Sequence, residues 1–210
     1  MNKYFINYGK FTVAIFLFGI CGVFGFGQTK EEFYRKVKGQ ILTSANSPEI
    51  RLKFSKKFKF AGSQKFILYD RAEAEQYFFV EAENKKIKRL YMLQFESFLP
   101  KIDGTYDYNE PQSVKIGGFD YFSNVEAVPN VEAALKAVPD SDIAKAAAFL
   151  QSKDFQIMKS LLYQRFVRVL GDDKRSEFII LYIEDSENVN SEKQTENLQK
   201  QALANFKILK

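Results

Sequence analysis

The sequence predicts an α+β fold: a single curved antiparallel β-sheet with helices packed on one face, an N-terminal helix and a C-terminal amphipathic helix. Three observations lead there. Between Leu52 and Val128 apolar and polar residues alternate in runs separated by turn residues, which is the period of half-buried strands. Residues 130–150 switch to helical spacing, divided by Pro139. Phe178-Ile179-Ile180-Leu181-Tyr182-Ile183 is apolar at every position, as in a central strand covered by helices on one side.

Along the chain, Phe33, Val37 and Ile41 recur every four residues with Tyr34 beside them. A short amphipathic helix is therefore expected over 30–42, ending at Ser44-Ala45-Asn46-Ser47-Pro48. One strand is expected from Leu52 to Phe60, with Leu52, Phe54, Phe58 and Phe60 on one face and Lys53, Ser55, Lys57 and Lys59 on the other. Ala61-Gly62-Ser63 turns it into a second strand over 65–69, and a third covers 76–82. Glu83-Asn84-Lys85-Lys86 reads as a hairpin turn into a strand over 87–99, where Ile87, Tyr91, Leu93, Phe95 and Leu99 share the odd face. Residues 103–111 are polar and turn-rich, an excursion ordered by Tyr106 and Tyr108.

Residues 114–128 are extended again, and Gly117-Gly118 marks a bulge or a close approach. Asn130 caps a helix over 131–138 that Pro139 stops; a second helix, starting at Asp140 or Ser141, turns Ile143, Ala147 and Leu150 inward. The runs 161–170 and 177–184 form a hairpin. Ser191 and Gln194 read as a capping box for a last helix with Leu198, Ala202, Phe206 and Leu209 on its inner face.

Residues 1–27 have the order of a secretory signal peptide: Lys3 and Lys10, an apolar run from Phe11 to Phe26, then Gly25-Phe26-Gly27 before Gln28. The run has 16 residues, fewer than the roughly 20 a spanning helix needs. Cleavage after Gly27 is expected to leave 28–210 as one domain, periplasmic or on the outer surface of a bacterium. Cys21 follows Ile20, with Phe18 three positions before it, which is not the small-residue setting of a lipoprotein cysteine.

Composition narrows the chemistry. The 210 residues are 46% hydrophobic and 16% aromatic, with no His, no Trp and a single Cys that lies in the leader. Once the leader is gone neither imidazole nor thiol remains, which excludes Ser-His-Asp and Cys-His catalysis, His or Cys metal sites and disulfides. Carboxylate pairs and Ser-Lys dyads are left. Ser63-Gln64-Lys65, Ser113-Val114-Lys115 and Ser191-Glu192-Lys193 have a spacing that chance supplies in a Lys-rich chain. Glu81 and Glu83 alternate onto one strand face, and 103–110 offers oxygen ligands without the order of an EF-hand loop. No catalytic residue, metal or cofactor is assigned.

Charge is uneven. Residues 30–65 hold ten bases against three acids, and 172–196 hold eight acids against three bases. Lys53, Lys57 and Lys59, read as projecting from one strand face, form the candidate site for an anionic envelope surface; Lys protecting an edge strand is the competing explanation. The expected function is an exported, non-catalytic binding or interaction domain whose partner is a membrane surface, a lipid or an envelope protein, and not nucleic acid. The alternative is a periplasmic carrier of an apolar, lipid-like ligand in a Phe-lined sheet cavity. A hydrolase acting through carboxylates or a Ser-Lys pair stands third.

Overall fold

Residues 35–54 fold as three short strands, where the spacing predicts a helix and the start of a long strand. The computed structural model describes residues 33–108, 112–186 and 192–209, so the signal peptide expected over 1–27 and the Ser191 cap lie outside the described residues. Within them, β1 (Arg35–Lys38), β2 (Ile41–Ser44) and β3 (Ile50–Phe54) form an antiparallel meander. Gly39 accounts for the change from helix to hairpin. It turns the chain at φ +59°, a conformation open to glycine, whereas inside a helix it would cost about 1 kcal/mol against Ala. The register sets Val37 opposite Leu42 and Leu42 opposite Leu52, so three aliphatic side chains share the inner face.

The chain next turns at residues 55–57 instead of running straight to Phe60, and Phe58 N–H donates to Ser55 O at 3.0 Å. A second sheet begins there. Its strands are β4 (Lys59–Leu68), β5 (Ala72–Glu83), β6 (Lys86–Phe98), β7 (Ser113–Ile116), β8 (Phe119–Val128), β9 (Leu161–Leu170) and β10 (Ser176–Asp185). Their spatial order is β4-β5-β6-β10-β9-β8-β7, antiparallel throughout. The β5–β6 turn is the expected one: Asn84 and Lys85 have φ +48° and +66°, as a two-residue hairpin turn of this hand requires. A register shift after Glu81 moves Ile87 off the face of Tyr91, Leu93 and Phe95 and onto that of Leu90 and Met92. Gly117-Gly118 is the β7–β8 turn, and a Cβ on Gly117 would stand 2.4 Å from Ile208 Cδ1.

Between β8 and β9 run α1 (Val131–Ala137) and α2 (Asp142–Ser152). Both have the caps their sequences predict: Ala133 N–H donates to Asn130 Oδ1 at 2.9 Å and Ala144 N–H to Ser141 Oγ at 3.1 Å. The last helix, α3 (Glu192–Ala204), buries Leu198 and Ala202 but stops short of Phe206 and Leu209. Asn205 Nδ2 donates back to Gln201 O at 2.8 Å, and β11 (Phe206–Leu209) then pairs with β3, Phe206 opposite Phe54.

The described residues are thus mostly β, with two antiparallel sheets of four and seven strands, and not a single sheet with helices on one face. The smaller sheet has the order β1-β2-β3-β11. The helix expected over 30–42, the unbroken strand over 52–60 and the helical reading of 205–209 each concealed part of it. Its strands are only four or five residues long, too short to declare a period of two, and such strands gain their stability from partners.

The two sheets pack face to face. Tyr77, Phe79, Tyr91, Phe95, Phe178 and Tyr182 of the larger sheet meet Leu42, Leu52, Phe54 and Phe206 of the smaller, with Leu198 and Ala202 of α3 alongside. On the opposite face of the larger sheet, Phe78, Leu90, Met92, Leu181 and Ile183 lie under Ala146 and Leu150 of α2.

Candidate functional site

The three lysines singled out by the sequence do not share a strand. Lys53 is exposed on β3 of the small sheet, Lys57 sits in the turn after it, and Lys59 opens β4 of the large sheet. Lys59 pairs with Val80 and so sits on the face that carries α2.

Lys53 has other company. Inward positions of the small sheet are Val37, Leu42, Leu52 and Phe206, so the alternate residues face out. The register arranges them in two rows across the four strands: Lys38, Ile41, Lys53, Lys207 and Lys36, Thr43, Arg51, Leu209. Five of the eight are cations and none is acidic. Among the described residues none of the five is assigned an ion pair, and all five are exposed. Arg35 belongs to the other side of the same sheet: its Nη1 meets Glu75 Oε2 at 3.1 Å, and that carboxylate also accepts from Tyr77 OH at 2.8 Å. This pair ties the hairpin to the large sheet.

Two features separate this face from an edge defended by lysine. Arg51 and Lys53 lie on β3, which is interior to the sheet, between β2 and β11. Lys53 also stands directly opposite Lys207, and like charges placed so are destabilising by some tenths of a kcal/mol. Lys53, Lys56 and Lys207 further line a shallow hollow of about 260 Å³ with Phe54 and Asn205. Sequence reasoning missed Lys36, Lys38, Arg51 and Lys207 because it placed the first two on a helix, began the strand at Leu52 and carried the last helix through Lys207.

Comparison with protein-family models, curated proteins and solved structures finds no match to this chain. The site rests on its own geometry.

Among the described residues, none of the candidate catalytic pairs forms an assembled site. Lys65 Nζ is 3.0 Å from Glu73 Oε1; burial works against its charge, but the hydrogen bond and charge of Glu73 prevail and raise its pKa, the reverse of what a Ser-Lys base needs. Lys115 is paired with Asp120 at 3.2 Å, and Ser191 lies outside the described residues. Glu81 is held by Arg89 Nε at 2.8 Å, and Glu83 is exposed at the β5–β6 turn. No group of three acidic side chains is placed to hold a metal ion among the described residues.

One polar cluster escaped the sequence reading. Gln64, Gln76 and Gln94 stand side by side across β4, β5 and β6, linked amide to amide at 2.6 and 2.7 Å, and Gln94 Nε2 donates on to Glu96 Oε2 at 2.6 Å. Glu96 lies directly opposite Glu177 of β10, and the two are only 8% and 3% exposed. Tyr106 OH donates to Glu96 Oε1 at 2.7 Å and Tyr108 OH donates to Glu177, so the excursion after β6 is strapped over both carboxyls. Burial pushes the Glu177 carboxyl up to about 7 against the pull of the Tyr108 hydrogen bond, and it raises Glu96 and Asp142 as well. With both carboxyls occupied by tyrosine hydroxyls, the cluster holds a loop in place. Register alone reveals the meeting of Glu96 with Glu177, because β6 and β10 are distant in sequence.

On the aromatic face, where the alternative reading places a cavity, the rings are packed: Phe54 stacks on Phe79 at 4.2 Å and Phe95 on Phe178 at 4.6 Å. A cavity does open on the other face, between the large sheet and the helices, and its lining is aliphatic rather than Phe-rich.

Proposed function

We propose that this chain is an exported, non-catalytic interaction module that lays the outer face of its four-stranded sheet on an anionic lipid surface of the cell envelope. The observation that carries the reading is the two-row grid of Lys38, Lys53, Lys207, Lys36 and Arg51, with no acid in it and with two of the cations on an interior strand. A flat array of cations suits a flat, laterally mobile partner, because lipid head groups can move to sit beneath each charge. A basic residue near such a surface contributes about 1 kcal/mol. Five supply about 5 kcal/mol, an association somewhat tighter than about 1 mM that salt would weaken. Ile41 and Leu209 place apolar surface between the charges, and the leader read over 1–27 would deliver the chain to the envelope.

Co-sedimentation of the exported chain with phosphatidylcholine vesicles, with and without phosphatidylglycerol, tests this. Association is expected only with the anionic vesicles and should fade as salt rises. The combined variant Arg51→Glu, Lys53→Glu, Lys207→Glu is expected to lose it by more than about tenfold, while Lys59→Glu, on the opposite sheet and face, leaves it unchanged. Equal binding to neutral vesicles, or full binding by a folded triple variant, overturns the reading.

A further inference from the structure

Two neighbouring strands of the large sheet, β6 and β10, grade from apolar to polar along the face that carries α2, while β9 beside them runs the other way, from Tyr163 and Arg165 to Val167 and Val169. The register aligns Leu90, Ile183 and Tyr163 in one row and Met92, Leu181 and Arg165 in the next; Gln94 and Ile179 follow, then Glu96 and Glu177. Over the apolar end α1 and the start of α2 form a roof, and between roof and sheet lies a cavity of about 310 Å³. A smaller hollow of about 50 Å³ continues beneath α2 and shares Met92, Leu135 and Ile183 with it. Protein interiors are otherwise close-packed, and an apolar cavity about half this size already takes up a small hydrocarbon.

The rim decides the chemistry. Ser141, Asp142, Tyr163 and Arg165 are the polar members of the lining, and everything else in it is aliphatic or Met. Asp142 Oδ1 accepts from Ile143 N–H at 2.8 Å, and Arg165 Nε donates to Asn124 Oδ1 at 2.8 Å, so both groups are oriented by neighbours. One carboxyl and one guanidinium at the same rim oppose each other in charge. The two charges already offset each other, so an ionised head of either sign meets attraction and repulsion together and gives up its hydration for little return, whereas an alcohol, ester or amide can both donate and accept. At about 30 Å³ for each water-sized unit, the volume takes a body of roughly ten heavy atoms. The way in is apolar too: Val138 and Ile143 both line the cavity and are 53% and 39% exposed. The roof is lightly held, since Val131 is the one buried residue of α1 among the described residues.

We propose that this cavity is a binding site for a small apolar molecule of about ten carbons carrying an uncharged hydrogen-bonding head. It is separate from the basic sheet face and does not depend on it.

Displacement of the neutral fluorophore 1-naphthylamine, whose fused ring pair matches the volume of the cavity, tests the site, with 1-decanol, decanoate and decylammonium as competitors. Decanol is expected to displace the dye saturably at one site, and the two ions at least about tenfold more weakly. Ala134→Trp, which fills the cavity from the roof, is expected to abolish dye uptake with the circular dichroism spectrum unchanged; if that variant does not fold, Val138→Trp at the exposed mouth serves instead. The variant Arg51→Glu, Lys53→Glu, Lys207→Glu should take up decanol as the wild type does, which separates failure here from failure of the lipid-surface reading. Absence of saturable uptake, uptake that survives filling of the cavity, or equal competition by the ions overturns the proposal.

Discussion

On one face of the seven-stranded sheet, rings from two sheets meet at centroid distances of 4.2 to 5.0 Å around Phe54, Phe79 and Tyr91; on the other, two short helices leave a cavity of about 310 Å³. Geometry explains the difference. Four paired strands present a continuous surface that matches a sheet of similar twist, and flat rings interleave between them. The seven residues of α1 span only about 10 Å, while the ten-residue strands beneath run about 33 Å. A roof that short covers part of a strand and leaves the rest to loops. The solid face therefore holds the fold together, and the hollow face has room for a ligand and for buried carboxyls.

The sharpest way to break this contrast is truncation on each side. Phe54→Ala removes a ring of the smaller sheet that is 2% exposed, stacked on Phe79 and tilted against Tyr91 of the larger sheet, and should cost about 3–5 kcal/mol in urea unfolding. Leu135→Ala fronts space that is already empty and should cost less than about 2 kcal/mol, below the usual range for a buried leucine. Equal costs would mean that the two faces are packed alike.

Next comes pH. Glu177 titrates at about 7 when folded against 4.5 as its ordinary value, so between those limits the folded chain holds a proton that the unfolded chain has released. Its contribution is fully present below pH 4.5 and is lost as pH rises to about 7, a loss of about 3 kcal/mol. Glu96 and Asp142 are shifted in the same direction. Thermal melts should show stability falling over that window, and Glu177→Gln should flatten the fall; a profile that Glu177→Gln leaves unchanged would place the titration elsewhere. The smallest expected effect is on the roof: Asn130→Ala deletes the cap on α1 and should cost about 1 kcal/mol by the same melts.

Much of the large sheet could be read from local signals. The Asn84-Lys85 turn, the central position of β10 and the caps at Asn130 and Ser141 all follow from residues close together in the chain. The small sheet was misread at all three of its parts, and with it the placing of Lys53, Lys57 and Lys59 on one strand face. Phe33, Val37 and Ile41 fit a helical period as well as they fit two strands; Gly39 disfavours the helix, and the pairing with β3 that holds the strands lies beyond the local sequence. Lys53 was correctly placed on a strand but grouped with Lys57 and Lys59, since nothing local shows that the chain bends at 55–57 and changes sheet.

What the sequence determined by itself is the antiparallel, sheet-rich character of the chain, its aromatic core and the excess of cations near the start of the domain. Those properties are written in alternation, turn residues and composition, which act between neighbours in the chain. Tertiary structure alone decided that the cations form a grid and that the hollow lies under the helices. Both depend on registers such as Phe54 with Phe206 and Glu96 with Glu177, pairings between segments far apart in sequence whose energy appears only when both sides are in place.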